Sequence, residues 1–442
     1  MEQIVIMDKN LNGDRVFLFL QGPHGPFFFQ LAKMLEIAGC RCWRVGFNAA
    51  DKVFWRPRSK FISFKEPYCE WPATFIKVVT DKSITDLVLY GDTREIHQRS
   101  ISEARKLNIE VPVFEEGYLC PYWVTYERGG SNGNSRLMQM PLKQMQSDLT
   151  DYDLEAPMPP SHWGDTRQHV FYGALYHWFI MFANRAFPHF KPHRDLTVVQ
   201  EFRLHLRRLL LLPVHAIERK LATTHIHRGG FPYHLVLLQL EHDSSLQSHS
   251  PFQKNSEFLE LVIKKISQEA PRHHHLVIKA HPLEDGRAEI RQTLEHLGKV
   301  HQVSDRIHYV RGGKLAGLLD QACSAVTINS TAAQQVLWRG LPLKIFGTAV
   351  YDKPEFVSQA NLEEFFAKPT PTNARGYRDF RRFLIETSQI LGGYYSRKAR
   401  QQLLGRVVDM ILDQHDPYDA LRHRKMHNQQ KMKSPIHSDI IG

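Results

Sequence analysis

Short, almost wholly apolar runs alternate with helix-length amphipathic stretches, and that alternation constrains this chain more than any other feature. Runs such as Arg15-Val16-Phe17-Leu18-Phe19-Leu20 and Asp86-Leu87-Val88-Leu89-Tyr90 are apolar at nearly every position rather than at every second one. Such a strand has to be covered on both faces, as strands of parallel sheets are. Between these runs, residues 27–38 carry a helical pattern closed by Gly39, and residues 95–107 carry another. Cys42-Trp43-Arg44-Val45-Gly46-Phe47 and Ile109-Glu110-Val111-Pro112-Val113-Phe114 supply further strands. The alternation resumes with His234-Leu235-Val236-Leu237-Leu238-Gln239-Leu240, a helix over residues 255–269, Leu276-Val277-Ile278-Lys279-Ala280, Ala325-Val326-Thr327-Ile328 and Leu343-Lys344-Ile345-Phe346. The expected fold class is α/β, with two Rossmann-like domains facing each other across a cleft.

A chain of 442 residues is too long for one ordinary core. The expected division is residues 1–200, residues 201–375, and residues 376–442 as C-terminal helices and a basic tail. The irregular stretch over residues 129–162 reads as a long excursion rather than a further domain.

A formal net charge of +11, with 25 histidines outside that count, favours anionic partners: nucleotides, phospholipid headgroups or acidic sugars. No basic motif interleaved with aromatics is present, so nucleic acid is not an expected partner. Five scattered cysteines (Cys40, Cys42, Cys69, Cys120, Cys323), none in a CxxC pair, fit a reducing cytoplasm. The N-terminus has neither the basic start nor the apolar core of a signal peptide. No apolar run approaches the roughly 20 residues that a spanning helix needs. The apolar and basic residues 202–220 fit either an interdomain helix broken at Pro213 or a segment lying on an anionic membrane.

Candidate chemistry collects where apolar runs end, because ligands of open α/β sheets bind beyond the carboxyl ends of the strands. Glu115 and Glu116, followed by Gly117, end one run; they fit either solvated loop acids or a fixed carboxylate serving as acid and base. Lys279, His281 and Pro282 end another. Pro282 biases His281 toward an extended backbone, from which its imidazole can reach a leaving phosphate, with Lys279 adding charge. Asn329, Ser330 and Thr331 end a third, where a hydroxyl or amide caps a helix and the same N–H groups can hold a phosphate. Asp243 follows the strand ending in Gln239-Leu240, either as an Asx turn or as a carboxylate near a sugar's anomeric carbon. Gln21, Gly22 and Gly25 lie in a strand-to-helix loop that fits an anion-facing turn as well as a plain one. Arg272-His273-His274-His275 reads as a basic loop, since consecutive residues of a strand alternate faces and do not converge on one ion. No metal site is expected.

With these residues in view, the chain resembles the capsular polysaccharide export and biosynthesis proteins of the KpsS/LipB type, a β-Kdo glycosyltransferase family. The resemblance is carried by Phe17-Leu18-Phe19-Leu20-Gln21-Gly22-Pro23, Gly46-Phe47-Asn48-Ala49-Ala50-Asp51, Tyr90-Gly91-Asp92-Thr93-Arg94 and Phe114-Glu115-Glu116-Gly117-Tyr118. It continues through Pro121-Tyr122-Trp123-Val124-Thr125-Tyr126-Glu127, Leu238-Gln239-Leu240-Glu241-His242-Asp243-Ser244, Lys279-Ala280-His281-Pro282 and Asn329-Ser330-Thr331. It implies a GT-B-like fold with an acceptor-side first domain and a CMP-sugar-binding second domain. The implied reaction is metal-independent, retaining transfer of Kdo from CMP-Kdo to a (lyso)phosphatidylglycerol-type lipid, with no cofactor.

Carried over residue by residue, Glu115 is the implied acid/base, Asp243 the candidate nucleophile and His281 the contact to the departing phosphate. Glu116, Lys279, Pro282, Asn329, Ser330 and Thr331 are implied donor-binding positions, and Gln21, Gly22 and Gly25 a loop near the substrate. Cys120 stands where the family commonly has Arg, so any carboxylate that this Arg pairs with needs another cation here. The implied setting is the cytoplasmic face of the inner membrane, on an anionic surface and among other capsule assembly and export proteins. Two other readings stay open: a non-catalytic adaptor that hands polysaccharide or lipid to an exporter, which has no reason to bind CMP, and a nucleotide-sugar epimerase, which recognises a UDP-sugar.

Overall fold

The computed structural model describes residues 14–423 apart from Cys120, residues 150–164, 191–197, 242–243, Leu283 and residues 285–286. The chain divides into two compact units: Met1–Ser131, Gln139–Phe190 and Asp379–Gly442 make the first, and Asn132–Met138 with Lys191–Arg378 the second.

In the first unit the strands are β1 (Val16–Phe19), β2 (Arg41–Gly46), β3 (Phe61–Ser63), β4 (Asp86–Tyr90), β5 (Pro112–Glu116) and β6 (Trp123–Arg128). The second holds β7 (Tyr233–Leu237), β8 (His275–Lys279), β9 (Ile307–Val310), β10 (Ala322–Thr327) and β11 (Leu343–Ile345), and β12 (Gln389–Leu391) belongs to the first. The first sheet runs β12-β6-β5-β4-β1-β2-β3, parallel from β5 to β3, with β6 antiparallel to β5 and β12 antiparallel to β6. The second, β11-β10-β7-β8-β9, is parallel throughout. Both contain the doubly wound order that reverses beside the first strand, between β1 and β4 and between β7 and β10. The fold is α/β with two Rossmann-like sheets.

The continuous apolar strands account for the packing. Phe17 and Phe19 enter one core with Phe27, Leu31, Phe114, Tyr394 and Leu403, while Val16 and Leu18 enter the opposite core with Phe47, Trp71, Leu87 and Ile101. Alternate side chains of one strand feed two cores, so neither face tolerates a polar period. The helix over Phe27–Ile37 matches the sequence pattern, and Asn255–Glu269 reproduces its expected bounds.

Two features were not foreseen. Residues beyond Asp379 are part of the first unit's core, through β12 and the helix Arg397–Leu412, whose Leu403, Val407 and Ile411 are buried. The expected break at Pro213 does not occur, because the helix Val198–Gly229 runs through it. Pro213 is solvent-exposed, so water can take up the carbonyl that a helix-interior proline leaves unpaired.

Candidate active site

In the first unit the sequence Glu115-Glu116-Gly117 ends β5 and is fixed by the buried Tyr394 and the half-buried Tyr90. Tyr394 Oη donates to the backbone carbonyl of Glu115 at 2.8 Å, and Tyr90 Oη donates to Glu116 Oε1 at 2.9 Å. Burial, and next the Glu116 carboxylate, hold both phenols well above their ordinary pKa, so they act as donors at neutral pH. Glu115 is half-buried, and its Oε1 accepts from the Glu116 N–H at 3.1 Å. Gly117 admits no side chain, since a Cβ there would lie 2.2 Å from the Trp123 carbonyl oxygen.

The residue 20–26 loop lies on the same carboxyl edge, beyond β1. Gln21 accepts from Arg94 Nη1 at 3.3 Å. Gly22 packs against Phe28 and Gly25, at φ +116°, against the ring of Tyr172. Beside them Asp51 is buried, pairs with Arg44 at 3.1 Å and accepts from the Phe47 N–H at 3.1 Å.

The second unit gathers most of the other candidates at the carboxyl edge of one sheet. Gln239, just past β7, accepts from the Asn329 N–H at 3.1 Å, joining the two strands that flank the order reversal. Asn255 Nδ2 donates to the Gln239 carbonyl at 2.9 Å, and Asn329 Nδ2 donates to the His249 carbonyl at 3.1 Å. Ser330 is buried; its carbonyl accepts from Tyr351 Oη at 2.6 Å. Its Oγ accepts from the Ala332 N–H at 3.2 Å, while the helix Ala333–Trp338 has no side-chain cap. The expected capping is therefore replaced by a tight turn ahead of the helix. Thr331 is exposed.

One strand over, Lys279 ends β8 only 5% exposed; its carbonyl accepts from the Leu238 N–H at 3.0 Å, and among the described residues its ammonium has no hydrogen bond or ion pair. Burial first, and the Arg219 guanidinium second, lower its pKa to about 8. His281 is half-buried, with its carbonyl accepting from the Glu284 N–H at 3.0 Å, and Pro282 is exposed. Gly312, at φ +60°, packs against Pro282, where a Cβ would stand 3.2 Å from the proline Cα. This edge therefore joins an ammonium without a side-chain partner among the described residues to an imidazole and a row of backbone turns, a setting suited to an anion. Asp243 and Cys120 lie outside the described residues.

The run Arg272-His273-His274-His275 is a loop as far as His274, as expected, and its last residue enters the sheet. His275 begins β8, and its Nδ1 shares a proton with His308 Nε2 at 2.8 Å, while His274 Nδ1 pairs with His234 Nε2 at 3.0 Å. Burial drives His234 down to about 3 and His308 to about 4, so these two imidazoles are neutral at neutral pH, and the positive charge beside them comes from Arg306.

The capsule polysaccharide biosynthesis protein family matches residues 85–395, a span that takes in Glu115, Lys279, His281 and Ser330. The chain belongs to that family. It is 29% identical over 385 residues to the capsule polysaccharide export protein KpsS of Escherichia coli, covering 86% of this chain and 96% of that protein. It is 30% identical over 387 residues to the capsule polysaccharide modification protein LipB of Neisseria meningitidis serogroup A, covering 86% and 91%. A solved structure of the Thermosulfurimonas dismutans KpsC β-Kdo 2,7 transferase aligns over 94% of this chain and all of that one at 10% identity and a TM-score of 0.43. No helix among the described residues is long and apolar enough to cross a membrane.

Sequence reasoning missed Tyr90, Tyr394, Gln239 and Arg219. Gln239 sits in the motif that carries the resemblance to the family. Tyr394 has no local signal, because its partner lies 279 positions away.

Proposed function

We propose that this protein is a retaining β-Kdo glycosyltransferase that moves Kdo from CMP-Kdo to a phosphatidylglycerol-type lipid, making the linker on which capsule is assembled. The observation that carries this reading is the largely buried Lys279 beside His281 in a member of a capsule biosynthesis family: its ammonium is without a side-chain partner among the described residues and is suited to meeting an anion.

The bond between the anomeric carbon and the CMP phosphate oxygen breaks, and the charge that gathers on that phosphate is met by Lys279 and His281. Retention takes two displacements, the first by a carboxylate, for which Asp243 is the proposed nucleophile. An acceptor hydroxyl then attacks, and its proton passes to Glu115. Glu116, Pro282, Asn329, Ser330 and Thr331 belong to the donor side, with Gln21, Gly22 and Gly25 near the substrate. Because Lys279 and His281 supply the positive charge, the reaction needs neither metal nor cofactor. The protein acts peripherally at the cytoplasmic face of the inner membrane, with other capsule assembly and export proteins as partners.

Incubating purified protein with CMP-Kdo and phosphatidylglycerol, followed by mass spectrometry of the lipid, tests this directly. CMP release and a lipid heavier by a Kdo residue are expected, with at least a hundredfold loss in Glu115→Gln and His281→Ala. Absence of both CMP binding and product would favour an adaptor that only carries polysaccharide or lipid.

A further inference from the structure

The helix Asp165–Ala183 in the first unit carries apolar residues round most of its circumference, so it does not confine them to the side that packs on the protein. On its packed side Tyr176 Oη accepts from Asn48 Nδ2 at 2.7 Å, and the His24 ring stacks on Tyr176 with centroids 4.2 Å apart. Just past its end, Asn184 Oδ1 accepts from the Ala49 N–H at 2.9 Å. Outward it carries Val170, Phe171, Trp178 and Phe182, exposed by 65, 61, 50 and 63%. Positions 171, 178 and 182 recur at helical spacing, so they form one stripe. Leu175, Phe179 and Ile180 of the same helix are half-buried, so the stripe adds large apolar side chains on the side left to water, and an exposed apolar stripe of that kind marks a contact with something apolar.

Charge identifies that partner. From Asp165 to Asp195 the chain has no carboxylate in between, yet it has Arg167, Arg185, Lys191 and Arg194. Arg167 and Arg185 are exposed at the two ends of the stripe. Aromatic and aliphatic side chains between flanking cations fit the headgroup and acyl boundary of an anionic bilayer, where rings enter the hydrocarbon and guanidiniums stay with phosphates. The same helix packs its inner side on the residue 20–26 loop, at the sheet edge where Glu115 ends β5.

We propose that the outward stripe of this helix is the surface by which the protein lies on an anionic phospholipid bilayer, bringing the Glu115 edge of the first unit to the lipid. The purpose of the contact rests on the transferase reading, but the binding itself does not depend on it.

Co-sedimentation of the full-length protein with vesicles decides the matter. Vesicles of phosphatidylglycerol and phosphatidylcholine should bind it, pure phosphatidylcholine should bind it at least tenfold less, and 0.5 M salt should weaken the first by about tenfold through screening. A Phe171→Ser, Trp178→Ser, Phe182→Ser variant, with far-UV circular dichroism and thermal midpoint as folding controls, should lose at least tenfold in vesicle binding. Wild type that ignores anionic vesicles, or a folded variant that binds as well as wild type, overturns the proposal. So does wild type that self-associates through this stripe without binding lipid. Sugar transfer to a soluble short-chain acceptor, measured in parallel, should be unchanged in the variant; a wild type that binds vesicles but transfers nothing defeats the enzyme reading alone.

Discussion

Glu115 Oε2 lies directly over Gly91, so close that a Cβ at position 91 would stand 3.1 Å from it. Gly91 also has φ +69°, a conformation that costs an L-residue about 1–2 kcal/mol. Gly91→Ala should therefore lower stability by that amount and also displace the carboxylate, with transfer falling by more than tenfold. Gly39→Ala is the control: φ is +96°, but nothing lies within 4 Å of the added methyl, so stability should drop while kcat holds. Equal kinetic losses in the two variants would show that Gly91 acts through strain alone.

Lys279 separates stability from binding. Its folded pKa of about 8 lies below the ordinary 10.5, so the unfolded chain holds the extra proton between those values and stability from this group rises with pH across that window. A bound phosphate restores the proton, so CMP binding should take up protons near pH 8–9 and weaken as pH climbs past about 8. Calorimetry in buffers of different ionisation enthalpy measures this. Lys279→Met should raise the thermal midpoint yet bind CMP about tenfold or more weakly at pH 7, consistent with about 1.5–3 kcal/mol for a charged hydrogen bond.

The paired imidazoles predict acid lability. His234 and His308 have folded pKa values near 3 and 4, below the ordinary 6.5, so on acidification the unfolded chain binds protons first. The stability they contribute is complete above about pH 6.5 and is lost as pH falls toward 4 and then 3. Thermal midpoints from pH 7 to 4 should fall steeply in wild type and more gently in a His234→Asn, His308→Gln variant.

Glu127 is fully buried and accepts from Tyr118 Oη at 2.6 Å and Tyr418 Oη at 2.9 Å. Tyr418→Phe removes one donor from a buried carboxylate and should cost about 1–3 kcal/mol, read from the denaturant midpoint. Because Tyr418 lies after the helix Arg397–Leu412, the variant should also make the chain beyond it more susceptible to limited proteolysis.

Transfer should survive chelation. Lys279 and His281 are assigned the charge that a metal would otherwise neutralise, so EDTA should leave the rate of CMP release within twofold. A strict requirement for Mg²⁺ would remove that assignment.

The strands were legible in the sequence because a strand covered on both faces must be largely apolar; β1 and β4 lie within such runs, and β8 and β10 overlap theirs but begin one and three residues earlier. The ends of those runs also revealed Glu115, Lys279, His281 and Asn329, since side chains that leave a sheet at its carboxyl edge stand where the backbone stops pairing. For the histidine run, residue type does not give the charge state of the imidazoles. Their actual state follows from burial beside β7 and β9, which no local pattern records.

The amino-acid order by itself determined the two parallel sheets, the strand ends and the residue types waiting there, because each follows from local periodicity and the need to cover apolar surface. Only the tertiary structure decided that Tyr394 holds Glu115 across 279 positions, that Gln239 bonds to Asn329 across 90, and that the segment after Asp379 completes the first unit. Those contacts depend on loop closure and on which buried polar groups satisfy one another, and such pairings exist only once distant segments have packed.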